Sequence, residues 1–302
     1  MTTFWFIVIA FLWTGYFVLE GFDFGVGALL PVLSRTQAER RQVISTIGPV
    51  WDGNEVWLIT AIGAMFAAFP AWYSGFLSEF YLAMVLIVAG LIVRGVGLEW
   101  RGKVRPGREV ALCDAGIVTG SVLVAFLWGA IFANLLFGSA LATVLGGAFS
   151  LALATLHGAV FLALKTEGAV RARARLAALL ASVGVIPVAI AVLSSLPSGT
   201  DSPVLWVAST GAMATLAAGV ALIWRRREGW AFTATATAIA LSTATLFGAL
   251  YPAPLPGLTV AEMASAPYTL TVLTWIGLIA LPGVVAYQAW TYWVFRKRLT
   301  RV

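Results

Sequence analysis

Charge is scarce in this chain. Only 11% of its 302 residues are Asp, Glu, Lys or Arg, and there is one histidine and one cysteine. A soluble globular protein carries about 25% charged residues. The composition, 61% hydrophobic with a mean hydropathy of +0.94, therefore excludes that class and reads as a polytopic membrane protein. Cys113 alone permits no intrachain disulfide and no CxxC site; in an apolar helix it reads as a small core residue. One His, one Cys and five scattered Met offer no redox constellation, so neither haem ligands nor metal ligands are expected here. No glycine-rich phosphate loop follows a strand, and no nucleophile stands beside a base. The net charge of +6 does not signal nucleic acid, because the basic residues sit in short loops where they serve topology. The N-terminus has no basic region and the first apolar run no cleavage site, so it reads as a retained helix. If this chain serves redox chemistry, another polypeptide must hold the cofactors.

What the chain does have is long apolar runs. About 20 residues cross the hydrocarbon, and on that measure residues 1–302 form a single transmembrane domain of about nine helices. They are Phe4–Leu33, Pro49–Phe69, Tyr73–Val96, Leu112–Leu136, Val144–Leu164, Leu176–Leu196, Pro203–Trp224, Trp230–Tyr251 and Tyr268–Phe295. All 19 Lys and Arg then fall in alternate connections or the tail: Arg35 to Arg41, Arg94 to Arg108, Lys165 to Arg175, Arg225 to Arg227, and Arg296 onward. The positive-inside rule places the N-terminus outside and the C-terminus in the cytoplasm. Trp72, Tyr73, Trp206, Tyr251 and Tyr268 are expected at the outer interface, and Trp100, Trp224, Trp230, Trp290 and Trp293 at the inner one.

Acids inside such runs are costly and by default functional. Two stretches hold four of them: Gly15–Gly27, with Glu20 and Asp23, and Gly48–Trp57, with Asp52 and Glu55. The i, i+3 spacing puts each pair on one helix face. Gly21 and Gly25, extended by Gly27, permit a neighbouring helix to come close. Two readings stand for each pair. Glu20 either ends its span or lies within it; Asp52, behind Pro49 at a helix start, either serves the helix dipole or opens a proton route. Trp51, Asn54 and Trp57 make the second stretch denser in polar and aromatic groups than a cap requires. Asp52 is expected as a relay at the cytoplasmic mouth, tuned by like-charge repulsion from Glu55. Glu79 is expected to make a buried polar contact and Asp114 to cap its helix. Glu39, Glu99, Glu109, Glu167 and Glu228 are expected to be solvated. His157, the one histidine, reads as a satisfied core residue rather than a haem ligand. A proton-coupled secondary transporter would use the same acids, although Gly and Pro show no matching broken helices in two halves.

At Glu20-Gly-Phe-Asp-Phe-Gly-Val-Gly and Pro49-Val-Trp-Asp-Gly-Asn-Glu-Val-Trp57 the sequence resembles subunit II of the cytochrome bd family of quinol oxidases, in its actinobacterial form. The likeness continues through Leu58–Pro70, Glu99–Lys103, Pro267–Leu270, Thr274-Trp275 and Tyr287–Arg296. It implies two four-helix bundles plus one helix in a bacterial cytoplasmic membrane. It implies pairing with a homologous subunit I that holds two haems b and haem d, and a small single-helix accessory subunit that the short outer loops here would barely reach. It implies quinol, menaquinol in this form, and dioxygen as substrates of the complex, and a structural quinone or lipid in this subunit. By the resemblance Asp52, with flanking Trp51, belongs to a proton path, and Asp23 is a further buried acid. Some members have His at Val50 and Gln at Glu55, so a path through Glu55 or Glu20 is an inference from these residues alone.

Overall fold

A computed structural model describes residues 1–200 and 202–299. Among these residues every regular element is helical. The order is α1 (Thr2–Leu33), α2 (Gln37–Ile47), α3 (Trp51–Ala68), α4 (Pro70–Glu79), α5 (Tyr81–Trp100), α6 (Arg108–Phe137), α7 (Ala140–Lys165), α8 (Gly168–Ser195), α9 (Pro203–Trp224), α10 (Glu228–Leu250) and α11 (Pro267–Val294). A 3-10 turn at Pro197–Gly199 follows α8. Eight of these helices are long and apolar enough to cross a membrane: α1 and α5 to α11. The chain is an all-helical, multi-pass membrane protein.

The remaining helices are α2, α3 and α4. The run expected over 49–69 forms α3, only 18 residues long, with Asp52, Asn54 and Glu55 diluting its apolarity. The run expected over 73–96 starts earlier, with Pro70 in the first turn where its missing N–H costs nothing. It breaks at Phe80 (φ −105°, ψ 27°), and α5 then continues to Trp100. The first connection contains α2, a short helix too polar to register as a span. Thr36 caps it by accepting from the Glu39 N–H at 3.2 Å, while Val43 and Ile47 are buried against the bundle.

Helix α1 runs through the middle of the protein and touches α3, α6, α7 and α10. It meets α7 at backbone contact: a Cβ on Gly25 would lie 2.0 Å from the Ala154 carbonyl oxygen, and one on Gly158 would lie 2.5 Å from the Gly25 carbonyl carbon. Gly21 does not share this seam, because a Cβ there would meet nothing within 4 Å; it lines a cavity instead. Higher on α1, Trp13 packs edge-on against Trp128, ring centroids 4.8 Å apart, and the Trp128 indole N–H donates to the Tyr16 hydroxyl at 2.9 Å. Trp72 belongs to this aromatic core, fully buried and stacked on Phe6, rather than to an interface. The other nine aromatics assigned to interfaces are exposed or half-buried.

The segment after α10 is packed rather than open. Leu255, Val260 and Met263 are buried, and Ser265 donates to the carbonyls of Ala68 (2.9 Å, from its N–H) and Ala67 (2.7 Å, from its hydroxyl), satisfying acceptors at the end of α3. Helix α11 lies against α3 with only Leu270 and Gln288 buried. Its following residues fold back under the bundle. The Leu299 N–H donates to the Lys165 carbonyl (2.8 Å), Gln42 donates to the Leu299 carbonyl (3.1 Å), and Arg298 donates to the Leu164 carbonyl (3.0 Å).

Candidate functional site

Three of the four acids singled out in the sequence converge on one buried network. Glu20 and Asp23 project from α1 and are fully buried. Glu55, one turn into α3, keeps 22% of its side chain exposed. Between them lies Arg94 from α5, fully buried. Its Nη1 donates to Glu20 Oε1 at 2.5 Å and to Glu55 Oε1 at 3.0 Å, and its guanidinium carbon sits 5.1 Å from the Phe24 ring centroid. Asp23 has a different partner: Asn54 Nδ2 donates to its Oδ2 at 2.7 Å. The Asn54 Oδ1 accepts in turn from Gln288 Nε2 and the Tyr292 hydroxyl, both at 2.9 Å, on α11. Glu20 Oε2, Asp23 Oδ1 and two Arg94 nitrogens are buried without a protein partner. Burying charge is tolerated only when it is paired and hydrogen-bonded, and this cluster is only half satisfied.

The family model for cytochrome bd terminal oxidase subunit II matches residues 1–295. The chain belongs to that family. It is 36% identical to the cytochrome bd ubiquinol oxidase subunit 2 of Bacillus subtilis (strain 168), covering 98% of this chain and 96% of the relative. It is 30% identical to the cytochrome bd-I ubiquinol oxidase subunit 2 of Escherichia coli (strain K12), covering 98% and 94%. Its fold matches a chain in the structure of bd oxidase from Geobacillus thermodenitrificans, with a TM-score of 0.79 at 17% identity, covering 98% of this chain and 99% of that one. This subunit II is therefore part of a terminal oxidase, and family membership stands against the transporter reading of the same acids.

Several residues of this subunit II lie elsewhere than the sequence suggested. Arg94, assigned to a basic loop, is the counter-ion of the network. Asp52 is exposed in the first turn of α3, where the sequence places it, and Glu55 is hydrogen-bonded to Arg94. Trp51 is half-buried beside Gly95 of α5. Glu79 is exposed, not buried. Asp114 is no cap: it lies in the second turn of α6, buried, and takes Arg101 Nε and Arg40 Nη1, each at 2.5 Å. Glu228 is not solvated; it is buried among Arg171 (2.9 Å), Arg175 and Arg298 (3.8 Å). Glu39 is drawn to Arg173 at 2.6 Å. That close ion pair and the Arg35 N–H hold its carboxyl below the usual range. Glu99 remains exposed, paired with Lys103.

His157 does not suit haem. Its Nδ1 is 2.7 Å from the Thr235 hydroxyl, its Nε2 is 3.2 Å from the Val18 carbonyl, and the ring stacks on Phe232 at 4.6 Å. Both nitrogens are committed, and no cluster of three or more His, Cys, Asp or Glu is placed to hold a metal among the described residues. An apolar cavity of about 120 Å³ lies beside α1, lined by Gly21, Phe24, Trp128, Phe149, Leu193 and Leu246 among others.

Proposed function

We propose that this chain supplies part of the proton path for dioxygen reduction in a quinol-oxidising cytochrome bd complex, and supports a haem-bearing subunit I. The observation that carries the reading is the buried Glu20–Arg94–Glu55 bridge beside Asp23, one helical turn inside exposed Asp52. Asp52 serves as the mouth, and Glu55, partly exposed, as the next carboxylate inward. Arg94 keeps its proton at all accessible pH; it holds the carboxylates in place while Glu20 Oε2 and Asp23 Oδ1 stay free to accept one. The basic ends of α7 and α8 set this mouth toward the cytoplasm, with α3 as a ninth span. The haems b and d belong to subunit I and supply the electron transfer and oxygen chemistry there; no donor set among the described residues here fits them. Quinol, expected to be menaquinol, is oxidised on the other side, so proton uptake here would make turnover electrogenic. The apolar cavity beside α1 suits an isoprenoid or acyl chain, and the setting is a bacterial cytoplasmic membrane.

Asp52→Asn in the assembled oxidase tests the path. Quinol oxidase turnover should fall while the haem absorption bands stay in place. Unchanged turnover would remove Asp52.

A further inference from the structure

We propose that Asn54 is a positioning residue that fixes which oxygen of Asp23 exchanges a proton. The inference rests on the reading of Asp23 as a relay. The Asn54 amide has two donors and two acceptor sites, and all four are filled. Its Nδ2 donates to Asp23 Oδ2 (2.7 Å) and to the Leu19 carbonyl (3.3 Å); its Oδ1 accepts from Gln288 and Tyr292. The Leu19 carbonyl can only accept, so the nitrogen must face α1 and the amide cannot turn over without breaking every bond it makes. Asp23 Oδ2 is thereby held as an acceptor; a protonated oxygen accepts more weakly, so this bond favours proton uptake and release on Oδ1, the buried atom with no protein partner. Exchange is biased toward one face of the carboxyl.

The other charged or titratable groups around Asp23 are Glu20 on α1, Glu55 on α3, Arg94 on α5 and Tyr292 on α11. On α7, His157 is bonded to Thr235 and Val18, and on α6, Asp114 is tied to Arg40 and Arg101. The Asn54 amide is the only one of Asp23's side-chain hydrogen-bond partners seen among the described residues.

The test uses the complete oxidase in membranes. Asn54→Leu removes the donor at similar volume; kcat should fall about tenfold, the scale of one hydrogen bond to a charged group, with the KM for quinol and the haem absorbance unchanged. In Asn54→Asp the new carboxyl can donate to Asp23 only while protonated. Its turnover relative to the parent should therefore recover from mildly alkaline to mildly acidic pH. A parental kcat in Asn54→Leu, or a flat ratio in Asn54→Asp, overturns the proposal. If Asn54→Leu loses its haem absorbance, the Gln288→Leu, Tyr292→Phe double variant decides. It keeps the amide but frees Oδ1, so a lower kcat at unchanged KM supports the assignment and a parental kcat refutes it. Parental turnover in Asp23→Asn would instead remove the relay itself, and this positioning role with it.

Discussion

Replacing Arg94 with methionine should be the most damaging single change in the site. The side chain is fully buried and neutralises Glu20 at 2.5 Å and Glu55 at 3.0 Å. Methionine fills much of the same volume, so the loss is electrostatic. Removing one partner of a buried pair costs about 3–5 kcal/mol because the other charge is stranded. An uncompensated charge at the centre of a membrane helix costs about 2.5–3.5 kcal/mol on insertion scales. The two routes agree on about 3 kcal/mol, equivalent to a change of roughly a hundredfold in a rate. Membrane complexes unfold irreversibly, so the suitable assay is the rate at which the purified complex loses its haem absorption on heating. The same argument predicts rescue. Arg94→Met combined with Glu20→Gln removes the acid bonded most closely to Arg94, leaving Glu55, which reaches the surface, and Asp23, which keeps its hydrogen bond from Asn54, and should recover more than half of the lost stability. A double variant no more stable than Arg94→Met, or an Arg94→Met complex as durable as the parent, would refute the reasoning.

Gly25→Ala should prevent proper packing of α1 on α7, since its Cβ would fall 2.0 Å from the Ala154 oxygen; overpacking against backbone costs about 1–3 kcal/mol or more, readable as loss of folded subunit from membranes. His157→Gln should leave all haem absorption bands unchanged while lowering thermal stability by about 1–3 kcal/mol, the cost of unsatisfied buried partners; loss of one haem band would show that the histidine reaches a haem. For Glu39, the carboxyl is depressed when folded, so its contribution is complete above the ordinary carboxylate value of about 4.3 and disappears as pH falls through the lower folded value. The ratio of heat-inactivation rates between Glu39→Gln and the parent should therefore be constant near neutrality and approach one in acid; a ratio that grows in acid would contradict the pairing with Arg173.

The acids of α1 and α3 could be found from the sequence because charge in an apolar run is conspicuous. Their counter-ion was harder to see. Arg94 stands six residues before Trp100, about 9 Å along a helix, yet it merges by eye with the basic loop that follows. Three carboxylates at membrane depth needed a cation, and that deficit was the available signal. Gln288 and Tyr292 were beyond reach: their i, i+4 spacing marks one face of α11, but nothing local says that this face meets Asn54 more than two hundred residues away. Helix α2 was missed because a scan for spans discards polar segments, although Thr36-Gln-Ala-Glu39 is a legible helix start. Asp114 and Glu228 read differently for two reasons: a place near a helix start suggests a cap for Asp114, and basic neighbours in sequence suggest solvent for Glu228, whereas the fold brings Arg40 and Arg101 to the first and Arg171, Arg175 and Arg298 to the second.

The clip formed by residues 298–299 on Lys165, Leu164 and Gln42 has a consequence for biosynthesis. These residues leave the ribosome after α11, so α11 is fastened only once they are made. Glu20 and Asp23 are made before their partners, and must wait for Asn54 to hydrogen-bond Asp23, for Arg94 to supply the positive charge, and for Gln288 and Tyr292 to lock the amide. During that interval the nascent first helix carries two exposed acids, and it would be held at the bilayer surface or by an insertion partner until α5 arrives.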